Sequence, residues 1–173
     1  EYIEAYAKNK AHIRKLTRFV KHREKVFKDE HGCYYSRGAG ITTGGQGSTL
    51  NARPKLGYTI YKNFKTGDVT ARDDYNHILA KTSNKEEDIY THDRDLINQG
   101  YDIILPPKKG QKLGCWTWGL NKFLAEKDTL SIEKAKNKFT IYKKKPIDSH
   151  NVITVGKNQY YDSLKEENLK STI

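Results

Sequence analysis

The chain has 173 residues, 35% of them hydrophobic and 31% charged, with twelve tyrosines and a net charge of +11. That length supports one domain with a modest core, and the aromatic content excludes a disordered polar chain. The charge surplus points to a polyanionic partner, nucleic acid first, against the plain alternative of a basic surface that only maintains solubility.

Residues 1–7, EYIEAYA, alternate loosely and predict a short strand. From Lys8 to Lys28 nine Lys or Arg accompany one acid, Glu24. Ile13, Leu16, Phe19, Val20, Val26 and Phe27 recur at roughly helical spacing, which predicts an amphipathic helix with its cations on the open face. Such a face either contacts phosphates or is simply solvated. Residues 38–54, GAGITTGGQGSTLNARP, hold five glycines in the first ten positions. GYTIYKN (57–63) reads as a strand, and Thr66-Gly67-Asp68 as the turn of a hairpin over about 58–72. The acidic stretch 73–102 contains a helix start at Thr91, Asp93 and Asp95 and a stop at Gly100. YDIIL predicts a short buried strand ended by Pro106-Pro107, LNKFLAEKDTL a short helix, and SIEKAKNKFTIYKKK a second hairpin turning near Lys136-Asn137. HNVITVGKN suggests one more strand, and YYDSLKEENLKSTI a terminal helix or frayed tail. The expected class is α+β, with short antiparallel strands and hairpins and two or three helices.

The glycine segment does not fit either phosphate-binding pattern. Gly40 and Gly45 have P-loop separation, but Gln46 stands where the phosphate-reaching Lys must be. Gly38-Ala39-Gly40 opens a dinucleotide fingerprint, but Thr43 replaces its third glycine and Pro54 blocks a following helix. What remains is a polar loop between Arg37 and Arg53, either a poorly ordered surface loop or one that passes close to a nucleic-acid backbone. Cys33 and Cys115 lack short spacing, and His31 beside Cys33 is a weak metal signal, so we expect reduced thiols and no metal. No paired histidines, nucleophile elbow or nucleophile–base–orienter set can be assembled. Asp73-Asp74 and Glu86-Glu87-Asp88 read as solvated faces or turns. Trp116 and Trp118, set among Lys108, Lys109 and Lys112, read first as packed anchors and second as base contacts, with the lysines the better contact candidates. No apolar run approaches the ~20 residues of a membrane helix, and no signal peptide is evident. The chain starts at Glu1 and contains no Met, so we expect a piece of a longer protein.

Three blocks carry a resemblance. EYIEAYAKNK resembles the end of a core strand in methylation (Mod) subunits of type III restriction-modification systems, which are adenine-specific DNA methyltransferases. DEHGCYYSR, the glycines and ARPKLGYTIYKN resemble the segment after that strand in the same subunits. LINQGYDIILPPKKGQKLGCWTWGLNKFL and then FTIYKKK resemble that family's Gly-x-Trp-x-Trp block with its helix and strand. The resemblance spans about residues 1–145 and is densest at 96–123.

It implies that 1–145 is the central, target-recognition region of a DNA methyltransferase, and that 146–173 is an extension leading toward the cofactor-binding part. The family's Asp-Pro-Pro-Tyr motif and its S-adenosylmethionine loop are absent; in LPPK (105–108) Leu105 replaces the acid and Lys108 the Tyr. No catalytic residue is carried over. The chain itself is expected to bind no cofactor, S-adenosylmethionine belonging to the full-length enzyme. The implied partners are double-stranded DNA, a restriction subunit and a second copy, in a prokaryotic cytoplasm. The candidate DNA-binding residues are Arg14, Lys15, Arg18, Arg37, Gln46, Asn51, Arg53, Lys108, Lys109 and Lys112. Among them Arg37, Arg53, Asn51 and Gln46 have side chains able to pair with guanine or adenine edges. The rival readings are a protein- or RNA-interaction domain with a basic surface, and a small standalone enzyme.

Overall fold

The computed structural model describes residues 17–168 apart from 43, 46 and 137. The fold is α+β, dominated by antiparallel strands with a few short helices. Among the described residues, 17–36 and 146–168 form one compact unit, and those within 37–145 form the other.

The first unit is built on β1 (Thr17–Lys28), paired antiparallel with β9 (Asn158–Asn168) from Thr17 opposite Asn168 to Val26 opposite Gln159. Two expectations are corrected here. Residues 17–28 form a strand, not an amphipathic helix; the rest of that predicted helix, like the predicted strand at 1–7, lies outside the described residues. Residues 158–168 also form a strand, where a terminal helix or tail was expected. The physical reason is cross-strand charge pairing that neither segment reveals alone. Asp162 accepts from Arg23 at 2.7 and 2.9 Å and lies 2.9 Å from Lys21, while Lys165 lies 3.0 Å from Glu24 and Arg18 3.8 Å from Glu167. Three of the five Lys and Arg of β1, namely Arg18, Lys21 and Arg23, are therefore answered by acids of β9.

β8 (Val152–Val155) pairs with β9 through a turn at Gly156, whose φ of +61° suits glycine. At the other end, β1 turns into β2 (Tyr34–Gly40) through a loop closed by Asp29. One carboxylate oxygen of Asp29 accepts the backbone N–H of His31 and of Cys33, at 3.0 and 2.8 Å. Val26 and Tyr35 are buried, and Phe27 stacks on Tyr35.

The second unit holds the main core. β3 (Thr59–Lys62) and β4 (Val69–Arg72) form the hairpin that the Thr66-Gly67-Asp68 signal predicts, with Thr59 opposite Arg72. Asn63 holds its turn by accepting the backbone N–H of Lys65 and Thr66, and Gly67 sits at φ +86°. β5 (Asp102–Ile104) covers the other edge of β3. A turn of helix, α1 (Glu86–Ile89), precedes α2 (Arg94–Asn98). Asp93 caps α2 by accepting from Asp95 and Leu96, so the cap lies two residues after Thr91. α3 (Leu120–Glu126) buries Phe123 against Tyr58, ring centres 5.7 Å apart. β6 (Leu130–Ala135) and β7 (Lys138–Pro146) form the second predicted hairpin, with Lys136 at φ +55° in its turn.

Buried beneath these elements, Thr59 and Tyr61 of β3 both donate to Asp74, and Tyr61 in turn accepts the backbone N–H of Asp93. Burial and the bond to Asp74 push the Tyr61 phenol well above its ordinary range, so it stays a donor at any physiological pH.

Two measurements test this architecture. Hydrogen bonds from Arg23 and Lys21 hold the Asp162 carboxyl well below the usual carboxylate range. Its stabilising contribution is therefore present above the unfolded value of about 3.9 and is lost as pH falls from there through the folded value. Titration by NMR should show Arg23→Ala moving the Asp162 midpoint upward, and an unmoved midpoint would contradict the pairing.

A Cβ placed on Gly114 would lie 2.0 Å from the Pro107 carbonyl oxygen, whereas one on Gly44 would meet nothing within 4 Å. Gly114→Ala should lower unfolding stability by about 1–3 kcal/mol, as overpacking does. Gly44→Ala should change it by less than about 0.5 kcal/mol. Denaturant midpoints of the two variants check the contrast.

Candidate nucleic-acid interface

The glycine loop and the tryptophan segment are fastened to one another within the second unit. Thr42 bridges to Trp116, and Thr49 to Gly114. Thr117 donates its N–H to Ile41, Leu50 to Leu113 and Trp116 to Leu56, each at 2.8 Å. The buried indole N–H of Trp116 is spent on the Tyr58 carbonyl at 2.8 Å. Trp116 is thus the packed anchor that its place in a small domain suggests. The loop between residues 42 and 49 is an excursion with both ends pinned. At Gly44, Gly45 and Gly47 there is open space where a side chain would be, and only Gly47, at φ +78°, needs glycine for its conformation.

Just upstream, Lys109 and Lys112 close a tight turn on each other with backbone bonds of 2.8 and 3.1 Å, with Gly110 at φ +62° inside it. Arg53 arrives from the far end of the glycine loop. Arg53 and Lys109 both act electrostatically on Cys115, whose thiol is pushed up by burial and pulled back down by these two charges. The two charges reach the thiol from parts of the chain more than fifty residues apart in sequence.

The second basic cluster centres on Trp118. This residue is only half-buried, unlike Trp116, and the two are not on one strand. The Lys122 ammonium lies 4.9 Å from the Trp118 ring centre and the Lys143 ammonium 4.8 Å. Lys122 comes from the first turn of α3 and Lys143 from β7, so two separate elements deliver charge to one indole. Against the same β6–β7 hairpin, Arg37 lies 4.9 Å from the Tyr142 ring centre and pairs with Glu133. Cations over aromatic faces combine a phosphate-directed charge with a stacking surface.

The predicted residues fall into distinct places. Arg14, Lys15 and Gln46 lie outside the described residues. Arg18 is in the first unit, exposed and beside Glu167. Asn51 is turned inward: its amide donates to the Ser83 carbonyl at 3.3 Å, and its buried carbonyl oxygen has no partner among the described residues. Lys108 lies 3.1 Å from Glu86. Arg37 is held by Glu133 and Tyr142, Lys109 and Lys112 close the tight turn on each other, and Arg53 lies exposed at the end of the glycine loop. Sequence reasoning missed Lys122 and Lys143. The i,i+4 step from Trp118 to Lys122 was legible; the arrival of Lys143 from β7 was not.

Among the described residues no group of three or more His, Cys, Asp or Glu could hold a metal ion, and no helix is long and apolar enough to cross a membrane. No family model matches the chain, and no curated protein or solved structure matches it either.

The placement of Cys115 gives a direct check. Cys33 is exposed and Cys115 buried. A thiol reagent near pH 8 should modify Cys33 promptly and Cys115 only when the protein is unfolded. Two equally fast thiols would contradict the packing around Cys115.

Proposed function

We propose that this chain binds duplex DNA as the target-recognition region of an adenine-specific DNA methyltransferase, of the kind that resembles the Mod subunit of type III restriction-modification systems. The observation that carries the DNA-binding part is the pair of ammonium groups, from Lys122 and Lys143, at the half-buried Trp118. The charge distribution supports it. The second unit holds twenty Lys and Arg against twelve Asp and Glu, a net +8 of the chain's +11. In the first unit, by contrast, the cations of β1 are largely paired with acids of β9. Phosphate contact by the lysines would supply affinity, and loop residues around Arg53 and Lys109 would approach base edges. The methyltransferase part rests on the resemblance of the sequence blocks. Methyl transfer would need S-adenosylmethionine and the catalytic motifs of the whole enzyme, and the chain alone is expected to transfer none.

A second reading, docking of a protein subunit, is favoured by one feature of the first unit. Phe19, Leu164, Ile153 and Val155 are all exposed, and the strand registers put all four on the same face.

Binding of a random duplex, measured between about 50 and 200 mM salt, tests the first reading. Affinity should fall by orders of magnitude over that range. Lys122→Ala with Lys143→Ala should weaken binding on every sequence and reduce the salt slope by about 2, one per lost phosphate contact. Flat or absent binding would refute it. Retained subunit binding that Phe19→Ser with Leu164→Ser abolishes would then establish the second.

A further inference from the structure

The tips of the two hairpins meet within the second unit. Phe64 lies in the β3–β4 turn, and Phe139 is the second residue of β7. Their rings stack, with centres 6.1 Å apart and planes 19° apart. Phe139 packs against the core, but Phe64 stays 40% exposed. Cations surround this exposed ring. The Lys62 ammonium lies 5.5 Å from its centre and donates to the Gly67 carbonyl at 3.1 Å. Lys134 stands opposite Phe139 in the β6–β7 ladder, so the two share a face. The Lys134 ammonium lies 5.7 Å from the Phe64 centre, 5.6 Å from that of Phe139 and 2.7 Å from Asp102. Lys65, next to Phe64 in the turn, is exposed, and its ammonium makes no hydrogen bond or ion pair among the described residues.

This arrangement is costly for a surface that nothing covers. A Phe more than a third exposed forgoes apolar burial. Three lysines close to one ring also repel one another, and Asp102 answers only Lys134. A partner that lays a planar apolar group on the ring and anions beside the lysines relieves both costs. A nucleic-acid strand offers that combination at every repeat, a base with phosphates on either side. In a duplex the faces of each base are covered by its neighbours, so the base that stacks on Phe64 has to be unpaired.

We propose that the joined hairpin tips bind single-stranded nucleic acid, with an unpaired base stacked on Phe64 and the flanking phosphates at Lys65 and Lys62. This goes beyond the duplex reading, which rests on Lys122 and Lys143, and does not depend on it.

The test uses the full chain and two fluorescein-labelled strands of equal length. One is made of thymidines, and the other of stable abasic residues, which keep the phosphates without the bases. Anisotropy should show the thymidine strand binding about tenfold more tightly, the effect of stacking one base on an aromatic ring. Phe64→Leu keeps an apolar contact with Phe139 but removes the aromatic face. It should weaken binding of the thymidine strand about tenfold and leave the abasic strand's affinity unchanged. Phe64→Tyr should preserve the difference between the strands. Lys65→Ala should reduce the salt slope on either strand by about 0.7, one phosphate contact of a single strand. Thermal unfolding of each variant verifies that it remains folded. Four results would overturn the inference: no binding of the thymidine strand by folded protein, equal affinity for the two strands, an affinity indifferent to Phe64→Leu, or Phe64-dependent capture of phosphatidylserine vesicles in place of either strand. The same proteins are titrated with duplex. Absent duplex binding beside Phe64-dependent binding of the thymidine strand refutes only the duplex reading, and the converse refutes only this one.

Discussion

Everything of interest in the second unit depends on the close approach of residues 113–117 to two other stretches of chain. On one side Gly114 passes so near Pro107 that no side chain fits between them. On the other, the 113–117 backbone bonds to Ile41, Ser48, Leu50 and Leu56, and the Trp116 side chain reaches Tyr58. A bulky, buried indole with its one polar atom satisfied is an inexpensive way to fix several backbones at once, because it contributes large apolar area without leaving an orphaned donor. Once Trp116 is fixed, the glycine loop has pinned ends. Trp118 is two residues away and emerges half-exposed at the start of α3.

The two tryptophans illustrate how one short motif divides its labour. Their spacing in the sequence suggests equivalence. In the structure one is an internal anchor with a carbonyl partner, and the other is a surface ring attended by two lysines. The difference is set by what surrounds each. Trp116 lies wholly in the apolar core, its ring centre 6.1 Å from that of Tyr58, whereas Trp118 packs against that core with part of its ring and also meets two long, flexible, charged side chains.

Local signals were legible wherever the partner segment is near in sequence. The hairpins over 59–72 and 130–146, the capped helix at Arg94–Asn98 and the strand Asp102–Ile104 follow from turn residues, caps and apolar runs. The errors fall on β1 and β9, whose pairing spans about 140 residues. Phe19, Val20, Val26 and Phe27 satisfy a helical period as a coincidence of spacing, and a run such as SLKEEN carries good helix formers. Neither segment announces that its charges are complementary to those of the other. The same non-locality hid Lys143 from the reading of Trp118, and it left the 8–28 segment reading as either a phosphate-contacting or a solvated helix face, when Arg18, Lys21 and Arg23 are paired with acids of a distant strand. Of the predicted contact residues, Lys109 and Lys112 share one tight turn, while Asn51 has its amide engaged inside.

The first unit is discontinuous in sequence: its two halves enclose the whole of the second. Pairing β1 with β9 directly from an unfolded chain means closing a loop of more than a hundred residues, and contacts of such long range form late. The second unit is rich in short-range hairpins and can collapse early, replacing a long flexible loop with a body of fixed dimensions. The β1–β9 ladder carries that closure cost, and because the cost grows only with the logarithm of loop length, a longer chain between the two strands would weaken the ladder very little.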